Sequence, residues 1–164
     1  MGENIYMKNL SRFFVGAAAL VLLTACGPSK VSYAKFHEQA AAAAEKDPGY
    51  TKATAKGTVY ASVAGAEITI KVNNKFVKGD DGWELAEGEE STAGTILVAF
   101  LLPMRAVDVT EDEKTTYYAG NGFKTVSKDD DGNGTVTFNA NGYVTSMKGK
   151  TESGKADLKF SWSK

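Results

Sequence analysis

The chain has 164 residues, with 19 basic and 20 acidic side chains and a formal net charge of −1. The near-neutral balance, with no block of Lys or Arg, argues against a nucleic-acid partner. The length suits one domain with a usable core. The single cysteine excludes a disulfide within the chain, so core packing alone must hold the domain together.

The first distinctive segment is MKNLSRFFVGAAALVLLTACG, which begins at Met7. Lys8 and Arg12 precede an uncharged run over residues 13–23. Two basic residues, a short apolar run and small residues before a cut are typical of a secretory signal peptide. The run is too short for a membrane-spanning helix, which needs about 20 apolar residues. We expect translation to start at Met7, because Glu3 disrupts a basic start.

Leu23-Thr24-Ala25-Cys26 resembles the lipobox of bacterial lipoproteins. The resemblance implies cleavage before Cys26, diacylglycerol on its thiol and a palmitate-type acyl chain on the new N-terminus. It predicts a signal peptide over 1–25, a lipidated tether over 26–31 and a single domain over 32–164. The protein would be anchored to the cell membrane or the outer membrane, facing the extracytoplasmic side. A small buried cysteine is the alternative interpretation.

Residues 32–49 predict one amphipathic helix. Ser32 is a suitable N-cap, and Val31 and Phe36 are spaced to form a hydrophobic staple. Apolar residues then recur at helical spacing to Ala44, and Asp47-Pro48-Gly49 ends the helix.

From residue 51 the apolar period changes to two, which predicts antiparallel strands with one solvated face. The first two strands cover 51–63 and 68–76 and meet at a turn at Gly65. A second turn at 79–82 leads into Trp83.

The most apolar mature segment is 92–107. It predicts a core helix of about ten residues, buried on most sides and covering the concave side of the sheet, with a break near Pro103. A buried strand is the alternative. One helical stripe holds Ala93, Ile96, Leu97, Phe100, Met104 and Val107.

Two Asn-Gly pairs, at 121–122 and 141–142, predict hairpins, because this dipeptide readily supplies the positive φ angles of a tight turn. The last strand, 155–163, alternates inward Ala156, Leu158, Phe160 and Trp162 with polar residues. The fold class is therefore α+β, with a curved antiparallel sheet and two helices.

No catalytic motif is present, and we expect neither an enzyme nor a cofactor. Asp129, Asp131 and Asn133 match the first ligand positions of a calcium loop, but Ala140 stands where a bidentate Glu is needed. A polar hairpin turn is the favoured interpretation. The only histidine, His37, lies on the first predicted helix with no metal-ligand spacing around it.

The order of elements over 31–164 resembles the LolA/LolB-like and LppX/LprG-like lipoprotein-carrier families. These are open half-barrels, capped by helices, that bind acyl chains in an apolar interior. The resemblance implies a cavity between the inserted helix and the sheet. Its lining would be Ile96, Phe100, Leu101 and Met104 facing Val72, Phe76, Trp83, Phe160 and Trp162. This chain is shorter than the carriers and has fewer strands, and no ligand residue of theirs carries over.

The expected function is a non-catalytic binding module for a lipid or another apolar ligand, held on the membrane through Cys26. The alternative is a structural or protein-interaction lipoprotein of the cell envelope with a filled core. A cavity would favour the first, and a packed interior would favour the second.

Overall fold

A computed structural model describes residues 27–63 and 65–164, so the signal segment and Cys26 lie outside the described residues. Within them the chain forms one antiparallel sheet of nine strands and two α-helices. No helix of this part of the chain is both long and apolar enough to cross a membrane. The elements are β1 (Ser29–Val31), α1 (Tyr33–Ala44), β2 (Lys52–Val63), β3 (Ala66–Gly79), β4 (Gly82–Leu85), α2 (Ala93–Leu101), a 3-10 turn (Ala106–Asp108), β5 (Thr115–Gly120), β6 (Gly122–Lys128), β7 (Gly132–Phe138), β8 (Val144–Thr151) and β9 (Gly154–Ser163).

The sheet is open and curved, with the strand order β1-β5-β6-β7-β8-β9-β2-β3-β4. Two meanders, β2 to β4 and β5 to β9, join where β9 pairs with β2 over the whole length of β9. The strands β1 and β4 form the two edges. The predicted α+β class with an antiparallel sheet is confirmed at this level.

Strand register divides the side chains between two faces, because directly opposite residues of an antiparallel pair point the same way. Leu158, Gly57 and Val72 form one row across β9, β2 and β3. We call their face the core face. The neighbouring row of Lys159, Lys56 and Asn73 lies on the opposite side, which we call the outer face.

Helix α1 forms where the sequence predicts it. Ser32 caps it, with its hydroxyl oxygen accepting a hydrogen bond from Lys35 N at 3.3 Å. Phe36 is fully buried, and its ring lies 5.4 Å from that of Tyr117 and 5.6 Å from that of Phe123, both on the core face. The alanines of the same stripe let the helix lie close to the sheet.

Helix α2 is a helix of nine residues, so the alternative of a buried strand is wrong. Its expected orientation is also wrong. Ile96 and Phe100 are 58% and 78% exposed, whereas the opposite side of the helix, including Gly94 and Val98, is buried. The reason is close packing: a Cβ on Gly94 would lie 2.8 Å from the Lys71 carbonyl oxygen of β3, so only the small-residue side can approach the sheet.

Candidate apolar binding face

The core face has a covered half and an open half. In the covered half, side chains of α1, α2 and the sheet form one packed cluster. Val98 and Leu102 are fully buried there. The strand residues of this half are at most 5% exposed and include Ala53, Ala55, Val72, Phe76, Leu158 and Phe160.

The open half lies further along the same strands, towards the β2–β3, β6–β7 and β8–β9 hairpins. Gly134, Gly149 and Ala156 pair across β7, β8 and β9 and give this half a shallow floor of small residues. Its apolar core-face side chains are half-buried or exposed: Val59, Ala61, Ile68, Ile70, Val136, Met147 and Ala156. Ile68 is 44% exposed. Val59, Val136 and Met147 also pack against the core cluster, so the apolar surface continues into the covered half.

Two depressions border the open half. One, of about 420 Å³, lies at the hairpin end of the sheet, where Ala61 and Ile68 of the core face meet the outer-face residues Tyr60, Glu67 and Lys155. The other, of about 370 Å³, lies beside Val136 and includes Met104, Val109 and Phe138 in its lining. Both volumes fall within the range of small-ligand sites.

The nine residues that the sequence suggests as ligand lining are separated in the structure. Val72, Phe76 and Phe160 are 2–5% exposed and belong to the packed cluster. Trp83 and Trp162 are half-buried, with their ring centres 5.2 Å apart. The remaining residues come from α2 and the segment after it: Leu101 and Met104 are half-buried, whereas Ile96 and Phe100 face away from the sheet. Met104 follows the end of α2, and it is the one residue of the nine that borders a depression beside the open half.

A polar cluster, which sequence reasoning missed, fastens the segment after α2 to the sheet. The Tyr143 hydroxyl donates to Asp47 Oδ1 at 2.7 Å, across a separation of 96 residues. The Arg105 guanidinium lies 3.7 Å from the centre of the Tyr143 ring and 3.6 Å from the Asp47 carboxylate. It also donates to the Asn141 carbonyl oxygen at 2.8 Å. No local motif signals this cluster, because its members come from three distant segments.

The same contacts shift two ionisation equilibria. The Gly49 N–H, the Tyr143 hydroxyl and the Arg105 charge together lower the pKa of Asp47. Burial, followed by the hydrogen bond to Asp47, raises the pKa of Tyr143 to about 12. Both shifts favour a neutral tyrosine donating to an ionised aspartate, which is a stabilising arrangement.

The acidic loop between β6 and β7 is a hydrogen-bonded turn. Asp129 Oδ1 accepts from the backbone N–H of Asp131 at 3.1 Å and of Gly132 at 2.9 Å. In the part of the chain that the structure describes, no group of three or more His, Cys, Asp or Glu side chains could hold a metal ion. His37 is exposed on α1, with its ring 5.9 Å from that of Tyr33.

Comparison with known proteins adds no relative, since no family model, no curated protein and no solved structure matches the chain. The fold defines the class directly: an α+β protein with an open, curved antiparallel sheet. Within that class, the open half of the core face is the candidate binding site.

Proposed function

We propose that this chain is a membrane-anchored extracytoplasmic lipoprotein that binds a lipid acyl chain, or another apolar ligand, without catalysis. The ligand lies on the open half of the core face, and the sheet acts as a half-barrel whose concave side the two helices cover only in part. The observation that carries the proposal is the uncovered apolar surface that runs from Ile68 to Val136.

The energetics favour an elongated apolar ligand. Each methylene group removed from water contributes about 0.8 kcal/mol, so an acyl chain gains affinity in proportion to the length that this surface covers. The floor of Gly134 and Gly149 leaves depth for a chain to lie across β7 and β8. A Cβ on Gly134 would have only the Lys148 carbonyl oxygen within 4 Å, at 3.9 Å, so this position accepts a side chain more easily than Gly149, where a Cβ would lie 3.2 Å from the Asn133 carbonyl oxygen.

The anchor accounts for the membrane location. Cys26 immediately precedes Gly27, and β1 begins at Ser29, so the lipidated residue is three positions from a sheet edge. Two or three acyl chains on this residue would hold the domain at the bilayer. We expect Cys26→Ser to abolish incorporation of labelled palmitate in growing cells. Incorporation that persists in this variant contradicts the anchoring proposal.

Ligand binding is tested by photocrosslinking. A photoactivatable long-chain fatty acid is added to the mature protein in phospholipid vesicles, and crosslinked peptides are mapped by mass spectrometry. We expect crosslinks on the core-face peptides of β2, β7, β8 and β9. Gly134→Leu places a large side chain on the floor of the open half and should lower the crosslinking yield about tenfold, which corresponds to about 1.4 kcal/mol of binding free energy.

Thr135→Leu is the matched control. It places the same side chain one residue further along β7, on the outer face, and should leave the crosslinking yield unchanged. Both variants must retain the melting temperature of the native protein. Equal yields from the two variants, or crosslinks confined to the tether, contradict ligand binding on the open half.

A protein-interaction lipoprotein is the second candidate, and a specific observation favours it. The region between α2 and the sheet is packed, and Phe100 projects into solvent with 78% of its surface exposed. If no fatty acid crosslinks, and a photoreactive residue at position 100 captures one defined envelope protein in cells, this second function is the correct one.

A further inference from the structure

The outer face of the sheet has a strong excess of positive charge. Seventeen of the 19 basic residues lie within the described part of the chain, because Lys8 and Arg12 precede it, and 19 of the 20 acidic residues lie there too. Only three of those acidic residues occupy outer-face strand positions: Glu67, Glu84 and Asp157. Eleven of the basic residues do so: Lys30, Lys52, Lys56, Lys71, Lys75, Lys124, Lys128, Lys148, Lys150, Lys155 and Lys159. Counted over strand positions, eleven lysines against three carboxylates give the outer face an excess of eight positive charges. At one end of the face, Asp129, Asp130, Asp131 and Glu152 line a depression with Lys128 and Lys150, so the excess lies mainly on the rest of the face.

The lysines of this face are mostly not neutralised within the chain. Lys56 stands directly opposite Lys159, and Lys150 directly opposite Lys155, although like charges in such positions destabilise a sheet. Among the described residues, Lys148 is the one lysine of this face with a carboxylate within 4.0 Å, that of Asp157 at 3.5 Å. Repulsion of this kind is relieved when an external anion binds.

The outer face also offers positions where anionic groups can bind. A depression of about 780 Å³ lies across β3, β2 and β9, and its lining includes Lys56, Lys75 and Lys159 together with Thr54 and Ser161. One carboxylate, that of Glu89, also lines it and accepts a hydrogen bond from the Lys75 backbone N–H, so the lysines are in excess by two charges. Lysine ammonium groups and hydroxyls are suitable donors to phosphate oxygens.

The size of the face indicates an extended partner. Strands in a sheet lie about 4.8 Å apart, and lysines occur on it from β1 at one edge to β3 near the other. The face is therefore several times wider than the Debye length of about 8 Å at physiological salt, so one small anion cannot neutralise it.

We propose that the outer face binds the anionic phospholipid surface of the membrane that holds the anchor. Lys30 belongs to this face and follows the lipidation site by four residues. The lipid anchor therefore holds this face close to the headgroups. Tyr60, which is 48% exposed on the same face, has the amphipathic ring typical of the interface. In this orientation the open half of the core face points away from the bilayer. The proposal depends on the anchoring part of the proposed function.

Lysine acetylation in vesicles tests the orientation. The mature lipidated protein is reconstituted in phosphatidylcholine vesicles, with or without about 30 mol% phosphatidylglycerol, and acetylation is quantified for each lysine by mass spectrometry. We expect the anionic lipid to reduce acetylation of the outer-face lysines about tenfold, and about 1 M NaCl to restore it. Lys35 lies on α1 and Lys46 just after it, so both are off this face and should not change.

A charge-reversed pair provides the matched variants. Lys56→Glu with Lys159→Glu should abolish the protection, whereas Lys35→Glu with Lys46→Glu should leave it intact. Equal acetylation in both kinds of vesicle overturns the proposal. Protection by soluble polyphosphate without protection by anionic vesicles also overturns it and indicates a polymeric ligand. Failure of the anchoring proposal gives a different result from failure of this one, because an unanchored protein would not float with phosphatidylcholine vesicles.

Discussion

Removing one hydroxyl tests the polar cluster that fastens the end of α2 to the sheet. Tyr143→Phe deletes the 2.7 Å hydrogen bond to Asp47 but keeps the ring. That ring still contacts Arg105 and the rings of Tyr50 and Trp162, whose centres are 4.9 Å and 4.8 Å away. The variant therefore isolates the hydrogen bond from the packing.

The expected loss of stability follows from the exposure of the acceptor. A hydrogen bond to a charged group contributes about 1.5–3 kcal/mol when both partners are shielded. The Asp47 side chain is 41% exposed, so water replaces part of the lost bond and we expect a loss of about 1 kcal/mol. For a domain of this size, that lowers the melting temperature by about 3 °C. Tyr143→Ala also removes the ring and should cost about 4 kcal/mol.

The pH dependence gives the sharper test. The pKa of Asp47 is lowered in the folded protein, so its stabilising effect is present above the unfolded pKa and is lost as the pH falls through the folded value. The difference between native protein and Tyr143→Phe should shrink below about pH 4. The pKa of Tyr143 is raised from 10.0 to about 12, so its contribution is full below pH 10.0 and is lost as the pH rises towards 12. The variant lacks this alkaline loss.

Thermal unfolding followed by circular dichroism at pH 3, 7 and 11 measures these differences. Equal stability of the two proteins at pH 7, or a larger difference at pH 3 than at pH 7, would refute the reasoning.

Three further predictions test the packing of α2 and the acidic turn. Leu102→Ala should lower the free energy of unfolding by about 3 kcal/mol because Leu102 is fully buried, whereas Phe100→Ser should change it by less than about 0.5 kcal/mol. Chemical denaturation measures both values, and a larger loss for Phe100→Ser than for Leu102→Ala contradicts the orientation of α2. Gly94→Ala should lower the melting temperature although alanine favours helices by about 1 kcal/mol, since the added Cβ would meet β3; an increase means that the contact is absent. Calcium chloride at about 1 mM should leave the melting temperature unchanged within about 1 °C, because the Asp129 carboxylate already accepts two backbone hydrogen bonds; a shift of several degrees indicates a metal site.

Local patterns were sufficient for most of the secondary structure, although β1 at Ser29–Val31 lies within the predicted tether and was missed. Ser32 marks the start of α1, and alternation over 51–63 corresponds to β2 at Lys52–Val63. The turn at Asp80-Asp81 and the two Asn-Gly turns also lie between strands in the structure. These features depend on residues close together in the chain, which is why they can be read without the fold.

The same patterns were insufficient for α2 and for the binding face. The apolar stripe through Ile96 and Phe100 predicted the buried side of α2, yet the sheet takes the opposite side, where Gly94 allows backbone contact. Hydrophobicity ranks side chains by transfer from water, whereas close packing against a sheet favours the smallest ones. A residue can therefore be strongly apolar and still face solvent.

What the sequence by itself determined is most of the order of strands and helices and a prediction of lipid attachment at Cys26, because short-range periodicity and a contiguous motif carry that information. The tertiary structure decided which residues meet. Pairing of β9 with β2 places strands from opposite ends of the domain side by side, and it separates a covered half of the core face from an open one. It also gathers lysines from six strands on one face, although no basic block exists in the sequence. Such arrangements depend on long-range register, which local sequence does not encode.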